Sequence, residues 1–344
     1  MIRSRTRFVV AVLGASTFAE TAVAAVVHVP EEQPTIQNAV AVASPGDTVA
    51  VGPGTYCGAT LDKPLRLIGR GQPTIIGCDG GPALSNQARI GFFLPGAAGE
   101  SAASGTVISG FTFDGRGVSN ANLAPLALGV FARFASDVVV SRNRFLGTVQ
   151  AVTNTAGDRW VVSRNTITEL TLFDCTLICA GGDGIVIQIA RGGLAAPGGS
   201  AAPVNRPEGN VVSHNRIEGS IADGFDVFNV AGVLVLAADG TTVSHNDIAI
   251  PDNPSANAVG QGVLVTNACC SEFTAILPGS RNTNVVHNDG RDSEFAVVVE
   301  GSGGDNTEGL VVEHNRGLVV IEGEELTTRR LRPARSAAAK HPFL

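Results

Sequence analysis

Lysine is nearly missing from this 344-residue chain: Lys63 is the only one before residue 324. There is one Trp and one Tyr, so little broad aromatic surface is on hand for stacking against sugar rings. After residue 24 no apolar run approaches the ~20 residues needed to cross a bilayer, which excludes an inserted helix. Positive charge is short as well. Residues 25–323 carry 16 basic and 28 acidic side chains, a net charge of −12. Such a surface repels nucleic-acid phosphates and anionic lipid, so neither is an expected partner. A polyanionic glycan is compatible with it where calcium bridges the two.

What is present begins with Arg3, Arg5 and Arg7, the apolar run Phe8–Leu13, and Ala22-Val23-Ala24. Charge, apolar core and an A-x-A site in that order form a secretory signal peptide. Cleavage is expected after Ala24 or Ala25, which places the mature chain outside the cytoplasm, secreted or periplasmic.

The rest is rich in Val and Gly and keeps repeating one phrase. VVSRNRF stands at Val139–Phe145, VVSRNTI at Val161–Ile167, VVSHNRI at Val211–Ile217 and TVSHNDI at Thr242–Ile248, with echoes at Val285–Asn288 and Val311–Asn315. The repeated Asn143, Asn165, Asn215, Asn246, Asn288 and Asn315 are spaced 22, 50, 31, 42 and 27 residues apart. A short unit with uneven Gly/Ala/Pro-rich insertions marks a solenoid. Its apolar runs alternate with period two, so the units are strands rather than helices. The pattern predicts an all-β parallel β-helix of ~22-residue coils stacked at ~4.8 Å. Val140, Val162, Val212, Val243, Val285 and Val312 should form one interior stack. Phe145, Ile167, Ile217 and Ile248 should form a second, interrupted at Gly290 and Gly317. Each Asn is expected at a sharp bend, in the left-handed region that Asn tolerates after Gly, with its amide bonded to the Asn of the next coil.

Pro34–Gly71 reads PTIQNAVAVASPGDTVAVGPGTYCGATLDKPLRLIGRG. The short helix signal, GDTV, PGTY and L-x-L-x-G resemble the N-terminal cap of the pectin-lyase-like right-handed β-helix superfamily. VISGFTF at Val107–Phe113 resembles its first full coil. The resemblance covers roughly residues 27–323 and implies a right-handed β-helix domain with a short capping helix; with the N-terminal signal and the charged, Ala- and Pro-containing tail, the organisation expected is a signal peptide at 1–24, the β-helix at 25–323 and a mostly disordered tail at 324–344. No cofactor is needed for stability, and a monomer is expected. Six cysteines in an exported chain point to disulfides rather than metal. Neighbouring coils would join Cys57 to Cys78. Cys175 and Cys179 would close a tight loop, or reach Cys269 and Cys270, since a vicinal bridge strains the peptide.

In that superfamily the active cleft lies along one sheet. The resemblance assigns to it Gly129–Arg133, Ala151–Thr155, Gly184–Gln188, Gly224–Asn229, Gly262–Asn267 and Phe295–Glu300. Alternation turns Ile185, Ile187, Val263 and Val265 inward, and Phe131, Arg133, Gln188, Asp226, Phe228, Thr266 and Glu300 outward. Asp183 and Asp223 would open equivalent strands on adjacent coils. With Asp226 they form the sharpest constellation, because crowded carboxylates raise one another's pKa and glycoside hydrolysis needs such a pair ~5–5.5 or ~6.5–9.5 Å apart. They are also the candidate calcium ligands, and against both readings stands the ordinary Asp-Gly turn. ADGFD partly resembles the polygalacturonase motif, and GFDVF the uronan epimerase motif, each without its remaining elements. Arg133 is the one basic residue placed to serve a lyase. Gln188, Phe228, Phe131 and Glu300 are the expected substrate-binding residues, while Trp160 is expected to pack. Arg142, Arg164, His214, His245, His287 and His314, each just before a ladder Asn, should form a second column ~5 Å per step. A linear stack converges poorly on a metal, so no metal site is expected. The leading expectation is a secreted β-helix protein that binds extracellular or cell-surface polysaccharide without turnover. The alternatives are a hydrolase or epimerase, less so a lyase, using the Asp cluster, and a surface structural or adhesion protein.

Overall fold

A computed structural model describes residues 24–85, 88–97, 99–116, 126–170, 182–189, 206–220, 229–253, 259–267, 279–301, 306–321 and 324–326. These wind into a right-handed parallel β-helix of three sheets, holding ten, seven and eleven strands among the described residues. Sheet 1 takes the VVS strands, such as Val139–Ser141 and Val211–Ser213. Sheet 2 takes those after each bend, such as Arg144–Leu146 and Arg216–Gly219. Sheet 3 takes the long strands, such as Leu126–Arg133, Asn229–Leu236 and Val259–Thr266. Pairing is parallel throughout, apart from Ala83–Ser85 and Glu324–Leu326, which add antiparallel to sheet 3. The second of these carries the sheet three residues past the expected domain end at 323.

The helix Ile36–Val42 closes the first coil. Thr35 caps it by accepting the Asn38 N–H, and Ile36, Ala39 and Val40 lay their side chains on the end of the core. No helix of the described residues is long and apolar enough to cross a membrane. Cys57 and Cys78 are bonded, as neighbouring coils allow. Cys175, Cys179, Cys269 and Cys270 lie outside the described residues.

Both interior stacks form. Val140, Val162, Val212, Val243, Val285 and Val312 pair in register along sheet 1. Phe113, Phe145, Ile167, Ile217 and Ile248 do so along sheet 2. Sheet 3 meets the second stack with its smallest residues. A Cβ on Gly129 would stand 2.5 Å from the Phe145 ring, and one on Gly232 2.4 Å from Ile248. Where sheet 3 has Ala296 instead, sheet 2 has Gly290 and Gly317 against it. The glycines that interrupt the sheet 2 stack therefore fill the same space by the opposite division of bulk, which close packing requires.

The bend corrects one expectation. The left-handed residue is the one before each Asn: Arg142, Arg164, His214, His245, His287 and His314 all have φ between 56° and 59°, with Gly110 at the equivalent place in the preceding coil. The Asn itself is buried. Its N–H and Nδ2 donate to the Oδ1 of the next coil's Asn, and its Nδ2 also reaches a sheet 1 carbonyl, as from Asn215 to Asn246 and to Val162. The ladder runs unbroken from Asn143 to Asn315. A left-handed Arg or His costs ~1–2 kcal/mol. Several buried hydrogen bonds per coil, each worth ~1 kcal/mol net, offset it.

Candidate functional site

Sheet 3 is built so that every coil offers the same positions outward. Ile185, Ile187, Val263 and Val265 point inward and are fully buried, as expected, and Val152 joins them. The register sets the intervening residues in three outward columns. The first holds Leu128, Gln150, Asp183, Ala231, Gln261 and Phe295. The second holds Phe93, Phe131, Thr153, Val186, Leu234, Leu264 and Val298. The third holds Arg133, Thr155, Gln188, Leu236, Thr266 and Glu300.

The middle column is mostly apolar and withdrawn from water. Phe131 faces outward as expected, yet it is only 6 % exposed. Phe93 stacks on it at 5.7 Å between ring centroids, and the Arg133 guanidinium lies 5.7 Å from its centroid. Phe131 therefore offers no open platform, and Arg133 is engaged with an aromatic face. The third column is the open one: Arg133, Thr155, Gln188 and Glu300 are half-exposed, while Thr266 is buried. The Gln188 Nε2 donates to Thr155 Oγ1 at 3.0 Å across neighbouring coils.

One strand of this sheet differs from the expected one. The partner of Ile185–Gln188 is not Gly224–Asn229 but the later run Asn229–Leu236. That choice sends Val233 and Val235 into the core and sets Gly232 against Ile248. The neighbour of Asp183 on the next coil is Ala231, whose N–H donates to Asp183 Oδ1 at 3.1 Å. Asp223, Asp226 and Phe228 themselves lie outside the described residues.

Asp183 is 7 % exposed, and burial pushes its carboxyl up from 3.8 to about 7, against the opposing pull of the Ala231 N–H. It can therefore hold or release a proton near neutrality. Burial also raises Glu300. The two do not form a catalytic pair, since they stand three coils apart, ~14 Å along the axis, and at opposite ends of their strands. Gln150 and Gln261 share the column of Asp183. The Oε1 of Gln150 accepts from Thr153 Oγ1 at 2.6 Å. The Oε1 of Gln261 is buried without a partner. Sequence reasoning passed over both, although each stands two residues before an inward valine, as Asp183 stands two before Ile185.

The corner between sheets 1 and 2 carries the other expected column. His214, His245, His287 and His314 stack face to face with centroid separations of 5.0, 5.0 and 4.7 Å. Arg142 and Arg164 continue the column, and all six are exposed. Trp160 packs in the interior as expected, its Nε1 donating to the Ala135 carbonyl at 2.6 Å.

No protein-family model and no curated protein matches this chain. Among solved structures it is similar to an alginate lyase from Paenibacillus sp., at 14 % identity over 87 % of this chain and 98 % of that one, with a TM-score of 0.49. It is similar to a pectin methylesterase bound to a hexasaccharide, at 10 % identity over 88 % and 93 %, with a TM-score of 0.46. It is also similar to PfbA, a surface adhesin of Streptococcus pneumoniae, at 13 % identity over 83 % and 86 %, with a TM-score of 0.39.

Proposed function

We propose that the chain is an exported β-helix protein that binds an extracellular polysaccharide along the outer face of sheet 3. The register carries this reading. Each coil offers one outward side chain per column, and the column advances by ~4.8 Å per coil. A surface that repeats its side-chain positions coil after coil suits a ligand that repeats along its length, which is a polymer. The half-exposed column of Arg133, Thr155, Gln188 and Glu300 supplies donors and acceptors for sugar hydroxyls. The signal-like N-terminus and the Cys57–Cys78 bond support export. The test is retention of residues 25–344 on immobilised neutral and uronic-acid polysaccharides, with and without calcium. Gln188→Ala and Glu300→Ala should weaken retention, and unchanged retention in both would remove sheet 3 as the binding face.

The proton-holding range of Asp183 favours a second reading, in which the same face belongs to a carbohydrate-active enzyme. Screening for new reducing ends, unsaturated uronate and proton exchange addresses it. Turnover lost in a folded Asp183→Asn variant would support that reading, and its retention would dismiss Asp183.

A further inference from the structure

We propose that the corner between sheets 1 and 2, with the adjoining outer face of sheet 1, is a second binding surface, for an extended carboxylated polysaccharide lying along the helix axis. This surface lies away from sheet 3 and does not rest on the reading given for that sheet. Three observations lead to it. The first is the column itself, in which Arg142, Arg164, His214, His245, His287 and His314 each project from an equivalent bend. The left-handed backbone and the asparagine ladder beneath hold these bends fixed, so little order has to be imposed on binding. Strand spacing sets successive members of the column ~4.8 Å apart, as the His rings at 4.7–5.0 Å show for its later part, and such a step is close to the length of one pyranose residue.

The second observation is the lack of neutralising partners. Several arginines elsewhere on this acidic protein have found carboxylates: Arg89 with Asp79, Arg159 with Asp137, Arg281 with Glu308, Arg291 with Asp289. Among the described residues no carboxylate pairs with Arg142 or with Arg164, while Arg144 beside them lies close enough to Asp114 to help hold its carboxyl down. Unpaired guanidinium forks match carboxylates in shape and charge. Acids do accompany the later part of the column: Asp247 and Asp289 follow two ladder asparagines, Glu218 pairs with Arg216, and Glu313 lies 3.9 Å from His314. The binding segment is therefore centred on Arg142, Arg164 and His214.

The third observation is the flat surface beside the column. Sheet 1 turns outward one stripe of Val139, Val161 and Val211 and one of Ser141, Ser163 and Ser213, all in register. These stripes suit the C–H faces and hydroxyls of a sugar chain. They carry no Phe, Tyr or Trp on which nucleic-acid bases would stack.

The test is the affinity of residues 25–344 for polygalacturonate oligomers, measured by titration calorimetry beside neutral dextran and a duplex DNA of matched charge. The double variant Arg142→Asn/Arg164→Asn removes the forks and keeps a residue that accepts a left-handed backbone, so its melting temperature should match the wild type. It should bind polygalacturonate about tenfold more weakly, a loss of two charge-assisted contacts. Arg281→Gln should bind as the wild type does. Unchanged affinity in the double variant would overturn the proposal, as would equal binding of dextran or of DNA. Loss in Gln188→Ala with no change in the double variant would keep the sheet 3 reading and reject this one.

Discussion

Asp183→Asn should stabilise the protein near neutral and alkaline pH and change little in acid. Burial holds the Asp183 carboxyl at about 7 in the folded chain, against 3.8 when exposed. Between those values the folded state keeps a proton that the unfolded state has released. Stability therefore falls as pH rises through that window, and the loss is complete above the folded value. Its full size is about 4 kcal/mol, at ~1.4 kcal/mol for each tenfold step in proton affinity. Asn has the same shape and no charge, and its Oδ1 can still accept the Ala231 N–H. Urea midpoints followed by the fluorescence of the single, buried Trp160 provide the assay. Wild type and variant should coincide near pH 4 and separate near pH 8, with the variant the more stable. Parallel pH profiles, or a variant less stable at pH 8, would refute the reasoning.

Three other outcomes follow from the same geometry. Asn215→Ala should cost about 3 kcal/mol or more, because it strands the buried Asn165 amide groups and the Val162 carbonyl; urea denaturation measures it. Gly232→Ala should cost more than the ~1–3 kcal/mol usual for overpacking, since its Cβ would press on both Ile248 and the Gly262 carbonyl; a small change in melting temperature would contradict the packing described. Opening Cys57–Cys78 by paired Ser substitution should remove about 3 kcal/mol, as expected for a loop spanning 21 residues, and would be read as a lower thermal midpoint.

Much of the architecture was legible in the repeated phrase. Period-two alternation placed Val140, Val162 and Val212 inside without any knowledge of the turns, because a strand has only two faces. The recurring Asn announced a ladder, since a buried amide repeated once per coil can be satisfied by its own copies. The conformational role within the bend was misassigned. Both residues of an Arg-Asn or His-Asn pair fit a turn by type, and only the packed coil shows that the amide is needed inside while the basic side chain takes the left-handed position outside. The sheet 3 strand after Asn215 was misread for a related reason. GFDVF and VAGVLVL both alternate, and local pattern cannot choose between them. The choice rests on contacts from distant sequence, with Gly232 fitting under Ile248 and Val233 and Val235 joining the core.

The sequence by itself determined the solenoid, its interior stacks and the column of Arg and His at ~5 Å steps. Each follows from a short local phrase that recurs once per coil. Only the tertiary structure decided that Asp183 is buried beside Ala231, that Phe131 is covered, and that Arg142 and Arg164 stand without carboxylate partners. Those facts depend on which coil lies beside which, and long insertions leave that register open until the whole stack is packed.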